Sequence, residues 1–165
     1  MDWSAMQDWA ALVTVVAAPL ALVVWIRDQW RERLNDDEEI YQRLSDEYTE
    51  FLTLVLRNAD LRLRSDSAPI ALSEEQRERK QILLEILVSI FERSYILIYE
   101  ERMNRQERRM WQSWEDYMRE WCKRADFRDA LPGLLEGEDP DFVAHIRRIA
   151  DEVCNKPPAR PAGAA

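Results

Sequence analysis

Four groups of residues have types and spacings that chemistry uses. Glu85 and Glu92, with Ser89 between them at spacings of four and three, place two carboxylates and a hydroxyl along one edge of a helix. Such a pair suits acid/base work or half of a di-metal site, but the Glu-x-x-His ligands of helical metal bundles are missing, so a solvated edge is expected. Asp141 and His145, the only histidine, stand four apart on one helix face, the spacing of a metal or general-base pair. With no third ligand in view they read as an ordinary exposed pair. Cys122 and Cys154 lie far apart and outside any C-x-x-C motif, and read as small apolar fillers in a reducing compartment. The fourth group is aromatic: the run MWQSWEDYMREWC sets Met110, Trp111, Trp114, Tyr117, Met118 and Trp121 on one helical face.

That stripe admits a cofactor slot, a docking groove or core packing. Trp and Tyr dominate interface hot spots, which makes Trp111, Trp114, Tyr117 and Trp121 the candidate interaction residues. Packing against a neighbouring helix is the simpler use of the same face. Arg119, Lys123 and Arg124 interleave with the rings as in single-strand nucleic-acid binders, but Glu115, Asp116 and Glu120 neutralise them. None of the four groups makes a catalytic, metal or cofactor site, and the chain is expected to be non-enzymatic and to need no cofactor.

The elements that carry these residues are helical. Three glycines, two of them (Gly133 and Gly137) in one loop, leave no turn chemistry for hairpins or βα units, so the fold is all-α. From Gln29 to about Leu63 one stripe recurs at threes and fours: Ile40, Leu44, Tyr48, Phe51 or Leu52, and Val55 or Leu56. A break near residue 35, where NDDEE offers a cap and acids for a first turn, is as plausible as a continuous helix. SDSAPIAL (65–72) is a loop, and Ser73 with Gln76 forms a capping box that opens a long helix. Its stretch ILLEILVSIFERSYILIY (82–99) is apolar over most of its circumference and is the domain's central helix. A second membrane crossing there is disfavoured by Glu85, Glu92 and Arg93, at about 2.5 to 3.5 kcal/mol each near the bilayer centre. The charged stretch 102–109 either holds a turn or continues the helix. A short helical turn from Asp126 ends at Pro132 and Gly133, and Asp139 with Pro140 starts the last helix, with Phe142, Val143, Ile146, Ile149 and Val153 on its apolar face.

One stretch orders the whole. WAALVTVVAAPLALVVWI (9–26) carries no charge, covers roughly 27 Å as a helix against a hydrocarbon core of about 30 Å, and has indoles at both ends. It is expected to span a membrane once, with Trp9, Trp25, Arg27, Trp30 and Arg31 at the interfaces. Arg27, Arg31, Arg33 and Arg43 follow the span and no cation precedes it, which places the amino terminus outside and the carboxyl-terminal domain in the cytoplasm. A cleaved signal peptide is disfavoured because Asp2 and Asp8 replace its basic start. Pro19 frees the carbonyl of Val15 and is a candidate hinge, or a tolerated proline in a lone anchor.

The segments then follow: a short external tip (1–8), the span (9–26), a cytoplasmic helical domain (27–154) of about four antiparallel helices, and a disordered Pro/Ala tail (155–165). With 32 acids against 23 Lys and Arg, a net charge of −9 argues against nucleic acid and against a broad grip on anionic lipid. The W-x-x-W-x-x-Y run (Trp111, Trp114, Tyr117), Asp126-Phe127-Arg128 and the final Asp141-Phe142-Val143, following one amino-terminal span, resemble small uncharacterised bacterial single-pass membrane proteins with a helical cytoplasmic domain. The resemblance implies architecture and inner-membrane location and transfers no catalytic residue. The expected role is a module that docks or senses a protein partner, or assembles with itself, at the inner surface of the bilayer. The rival is a subunit of an oligomeric pore lined by the Pro19-bent helix.

Overall fold

The computed structural model describes Trp25 and residues 38–65 and 71–155. The chain divides into two compact units, residues 1–40 and 41–165. In the first, Trp25 is helical and 61% exposed. The rest of the expected span, with Trp9 and the hinge Pro19, lies outside the described residues, as do Arg27, Trp30 and Arg31 and the tail beyond residue 155.

The described part of the second unit is built of helices joined by short turns, with no strand among the described residues. Helix α1 is described over 38–57 and turns Leu44, Tyr48, Phe51 and Val55 inward, resolving the two ambiguous pairs, since Leu52 is half-buried and Leu56 is 77% exposed. The helix stops earlier than its apolar pattern suggests. The Asn58 amide donates back to the Leu54 carbonyl at 2.9 Å, a 3₁₀ turn follows over Ala59–Leu61, and Arg62 adopts a left-handed conformation at φ 50°. Leu61 and Leu63 reach the core from this turn rather than from a helix.

Helix α2 (Glu74–Ile98) opens on the expected capping box: Gln76 N–H donates to Ser73 Oγ at 3.2 Å and Ser73 N–H to Gln76 Oε1 at 2.9 Å. Leu87, Val88 and Phe91 are fully buried, so α2 is the central helix. It is not a second crossing: among the described residues no helix is long and apolar enough to cross a membrane. Tyr99 turns extended and ends it. A second capping box, Asn104 with Glu107, then starts α3 (Arg105–Cys122), so the charged stretch is a break. Helix α4 (Ala125–Leu134) runs through Pro132 instead of ending there. Buried Leu131, Leu134 and Leu135 hold its last turn against the core, offsetting the lost backbone bond. Gly137, at φ 92°, makes the left-handed turn into α5 (Pro140–Asn155).

Ring and ion contacts fix the directions. Glu47 meets Arg93 at 2.9 Å and Asn58 meets Arg79 at 2.8 Å, so α1 and α2 are antiparallel. Lys80 at one end of α2 reaches Asp126, just past the end of α3, at 2.7 Å, while Tyr95 and Tyr99 at the other end pack on Trp111, which makes α3 antiparallel to α2. The fully antiparallel bundle does not hold for α5. His145 packs on Trp111 and Glu152 pairs with Arg119, so α5 runs parallel to α3. The intervening α4 supplies the return that a parallel pair requires.

Candidate functional site

The aromatic stripe of α3 is mostly core. Trp111, Trp114 and Trp121 are 4%, 1% and 0% exposed, and only Tyr117, at 40%, presents surface. The docking face expected at these four residues is therefore reduced to the Tyr117 ring. Trp111, Trp114, Met118 and Trp121, at i, i+3, i+7 and i+10, make one face, and that face is covered by α1, α2, α4 and α5. Trp121 Nε1–H donates to the Tyr48 hydroxyl at 3.1 Å, and its ring packs edge-on to Phe51 and tilted against Phe127. Tyr48 stacks on Tyr117 with centroids 4.5 Å apart and meets Trp114 edge-on. Burial pushes the Tyr48 phenol above its ordinary range, although the Trp121 bond pulls the other way. The result is an indole–phenol lock between α1 and α3.

At the other end of α3 lies a second cluster. Tyr95 and Tyr99 of α2 stack on each other at 4.8 Å, Trp111 of α3 meets both edge-on, and His145 of α5 sits 5.1 to 5.7 Å from all three rings. His145 is buried, contrary to its expected exposure, and it is not paired with Asp141, which stays on the surface. Its Nδ1 instead faces Arg148 Nη2 at 3.0 Å. Burial holds its pKa below the ordinary range, with the Arg148 charge acting in the same direction. A guanidinium only donates, so Nδ1 is the acceptor and Nε2 carries the proton. That Nε2, like Trp114 Nε1, has no hydrogen-bond partner among the described residues. From Arg148 a chain of ion pairs continues to Glu152 (2.9 Å), Arg119 (2.7 Å) and Glu115 (2.6 Å), stitching α5 to α3. The same seam carries an open surface depression of about 720 Å³, lined by Arg119, Arg147, Arg148, Asp151 and Glu152.

The carboxylates of α2 take different partners. Glu85 is exposed and accepts from Gln81 at 3.1 Å, whereas Glu92 is half-buried and accepts the backbone N–H of Asp139 at 2.5 Å. A side-chain hydrogen bond with Glu92, then burial, then the Glu92 charge push the Glu138 carboxyl up to about 7. Sequence reasoning paired Glu92 with Glu85 and overlooked Glu138, for which spacing along the chain gives no signal.

The buried histidine is bonded to a cation rather than to a carboxylate. Ser94, the buried hydroxyl, gives its proton to the Phe91 carbonyl at 2.7 Å. The Cys122 thiol is pushed up to about 12 by burial, while Cys154 is exposed. Among the described residues no group of three His, Cys, Asp or Glu side chains is arranged to hold a metal ion.

Among the described residues, large apolar side chains also remain at the surface. On α2, Ile82, Ile86, Ile96 and Leu97 are 48%, 36%, 55% and 52% exposed. Ile82, Ile86, Ser89, Arg93 and Ile96 follow one another at four, three, four and three residues, a single seam along the outside of the central helix. Comparison with models of known protein families, with curated proteins and with solved structures gives no match for this chain.

Proposed function

We propose that the chain is a non-catalytic interaction or sensing module, carried by the apolar segment 9–26 as a single membrane anchor. Its helical domain works at the cytoplasmic face and docks a protein partner or a second copy of itself. The observation that carries this reading is the seam on α2. A helix whose inner face is buried keeps three large aliphatic side chains, Ile82, Ile86 and Ile96, at the surface in the spacing that receives another helix, with Leu97 exposed beside them. The arginines after residue 26 and the tryptophans flanking the apolar run support the anchoring and its orientation. The ion-paired exterior and the acidic net charge fit a protein partner better than nucleic acid.

The test is fractionation of cells producing the epitope-tagged full-length chain, followed by extraction in mild detergent, mass measurement and identification of co-purifying protein. Retention in the membrane until detergent is added is expected. A mass above one chain, lowered by Ile86→Asp with Ile96→Asp while helical content is kept, is expected as well. Recovery of the chain in the soluble fraction without detergent would refute the anchor. An unchanged complex in the double variant would refute the seam.

A further inference from the structure

Helix α5 meets both α2 and α3 through one ring. His145 is 7% exposed, and Tyr95, Tyr99 and Trp111 lie around it with centroids 5.1 to 5.7 Å away. Phe142, three residues earlier, adds a contact with Tyr95 at 6.0 Å. The imidazole nitrogens have different surroundings. Nδ1 faces Arg148 Nη2 at 3.0 Å, and because a guanidinium only donates, Nδ1 is the acceptor and Nε2 carries the proton. Nε2 is buried with no hydrogen-bond partner among the described residues. This arrangement suits the neutral ring and fails the charged one. An imidazolium donates from both nitrogens, whereas here Nδ1 already faces a donor and Nε2 has no acceptor to meet.

We propose that His145 is an acid-operated release for α5. Uptake of a solvent proton at Nδ1 abolishes the bond from Arg148 and leaves two cations where a donor and an acceptor stood 3.0 Å apart; the helix relieves this by lifting residues 142–150 off Trp111 and Tyr95. Release passes the charged ring to water and uncovers Trp111, which is 4% exposed while α5 is in place. It needs neither the membrane anchor nor the seam on α2. The groups that face the ring come from three helices. From α2 come the phenols of Tyr95 and Tyr99, and burial holds that of Tyr95 above its ordinary range, so it brings no charge. From α3 come Glu115 and Arg119, and from α5 itself Arg148 and Glu152. The two acids favour an imidazolium, but both are engaged: Arg119 holds Glu115 at 2.6 Å and Glu152 at 2.7 Å, and Arg148 holds Glu152 at 2.9 Å. Asp141, one turn earlier on α5, is exposed. Burial first, and then the Arg148 charge, keep the imidazole below its ordinary 6.5.

Seated and released rings bind the proton with different strength. The released ring titrates at 6.5 and the seated ring lower, so above 6.5 both are neutral and opening does not depend on pH. As pH falls from 6.5 to the depressed value, the released state holds the extra proton, and opening becomes easier by at most about tenfold per pH unit. Below the depressed value both states are charged and the gain levels off.

The test uses the full-length chain in mild detergent from about pH 7.5 to 5, with imidazole nitrogen NMR and amide exchange corrected for intrinsic rates. The neutral ring should show a single tautomer, protonated at Nε2, and should titrate below 6.5. Protection over 142–150 should be lower than over 83–91 of α2, the mark of a helix that leaves by itself, and should fall in acid by up to about tenfold per pH unit. His145→Phe keeps a ring in the cluster and takes away the titration, so protection over 142–150 should become flat. Arg148→Met keeps the titration and takes away the opposing charge, so the fall should shrink and the imidazole should titrate closer to 6.5. Titration at or above 6.5, equal protection in the two helices, flat protection in the unaltered chain, or an undiminished fall in either variant would each overturn the release.

Discussion

Tyr48→Phe isolates one hydrogen bond with little change in packing. The ring stays stacked on Tyr117 at 4.5 Å and edge-on to Trp114 at 6.0 Å, so its apolar contacts survive. What disappears is the acceptor for Trp121 Nε1–H, 3.1 Å away in a side chain with no exposed surface, where water cannot take its place. A buried donor left without a partner costs about 1 to 3 kcal/mol, which places the expected loss near 2 kcal/mol. Urea unfolding of the full-length chain, followed by circular dichroism at 222 nm, should show this as a midpoint lowered by roughly 1 M, given slopes of about 1 to 3 kcal/mol/M. Trp121→Phe removes the donor and some volume, so it costs more by itself. In that background, however, Tyr48→Phe should cost almost nothing, because no donor remains to be orphaned. The double-mutant cycle should therefore return about 1 to 2 kcal/mol of coupling. Equal costs of Tyr48→Phe in both backgrounds would show that the bond contributes nothing and that the lock between α1 and α3 is packing alone.

Two further predictions rest on the buried groups. A thiol reagent such as a colourless aryl disulfide should titrate one cysteine per folded chain promptly, the exposed Cys154, while Cys122, buried and pushed up to about 12, should react only on unfolding; prompt reaction of both would mean that the ends of α3 and α5 open readily. Because His145 has its pKa held below the ordinary value of 6.5, the unfolded chain binds its proton first, so this group's contribution to stability is present above pH 6.5 and is lost as pH falls through its depressed value. Replacing His145 with Phe should flatten that acid-side loss in an unfolding series, and an unchanged slope would place it on other groups.

The one-dimensional pattern carried most of the helices because each is set locally. Scarce glycine excluded hairpins, the stripe of α1 held at Leu44, Tyr48, Phe51 and Val55, and the Ser73 and Asp139 caps marked the starts of α2 and α5. The Asn104-x-x-Glu107 box was equally local and could have been found by the rule applied at Ser73; dense charge around it obscured the signal. His145 was also within reach. Positions 142, 145, 146 and 149 form one apolar face, and the histidine lies within it rather than on the side of Asp141. The end of α1 depended on Asn58 bonding backward and on Arg62 adopting a left-handed conformation, choices that apolar Leu61 and Leu63 disguise. The parallel run of α5 beside α3 follows from how α4 crosses, and the meeting of Glu92 with the Asp139 N–H follows from that topology. Neither has a periodicity to read.

The placement of Glu92 connects the start of α5 with the proposed docking seam. At about 100° per residue, Glu92 lies on the same side of α2 as Glu85, Ser89 and Ile96, at the border of the exposed aliphatic row. Its bond to the Asp139 N–H therefore sets the α4–α5 loop beside the ground on which a partner helix would lie. If the seam on α2 receives a partner, Glu92→Ala, which removes the acceptor of the Asp139 N–H, should weaken that partner's binding while leaving Ile82, Ile86 and Ile96 untouched. An unchanged affinity in this variant would separate the seam from the loop and leave the two as independent features of the same helix.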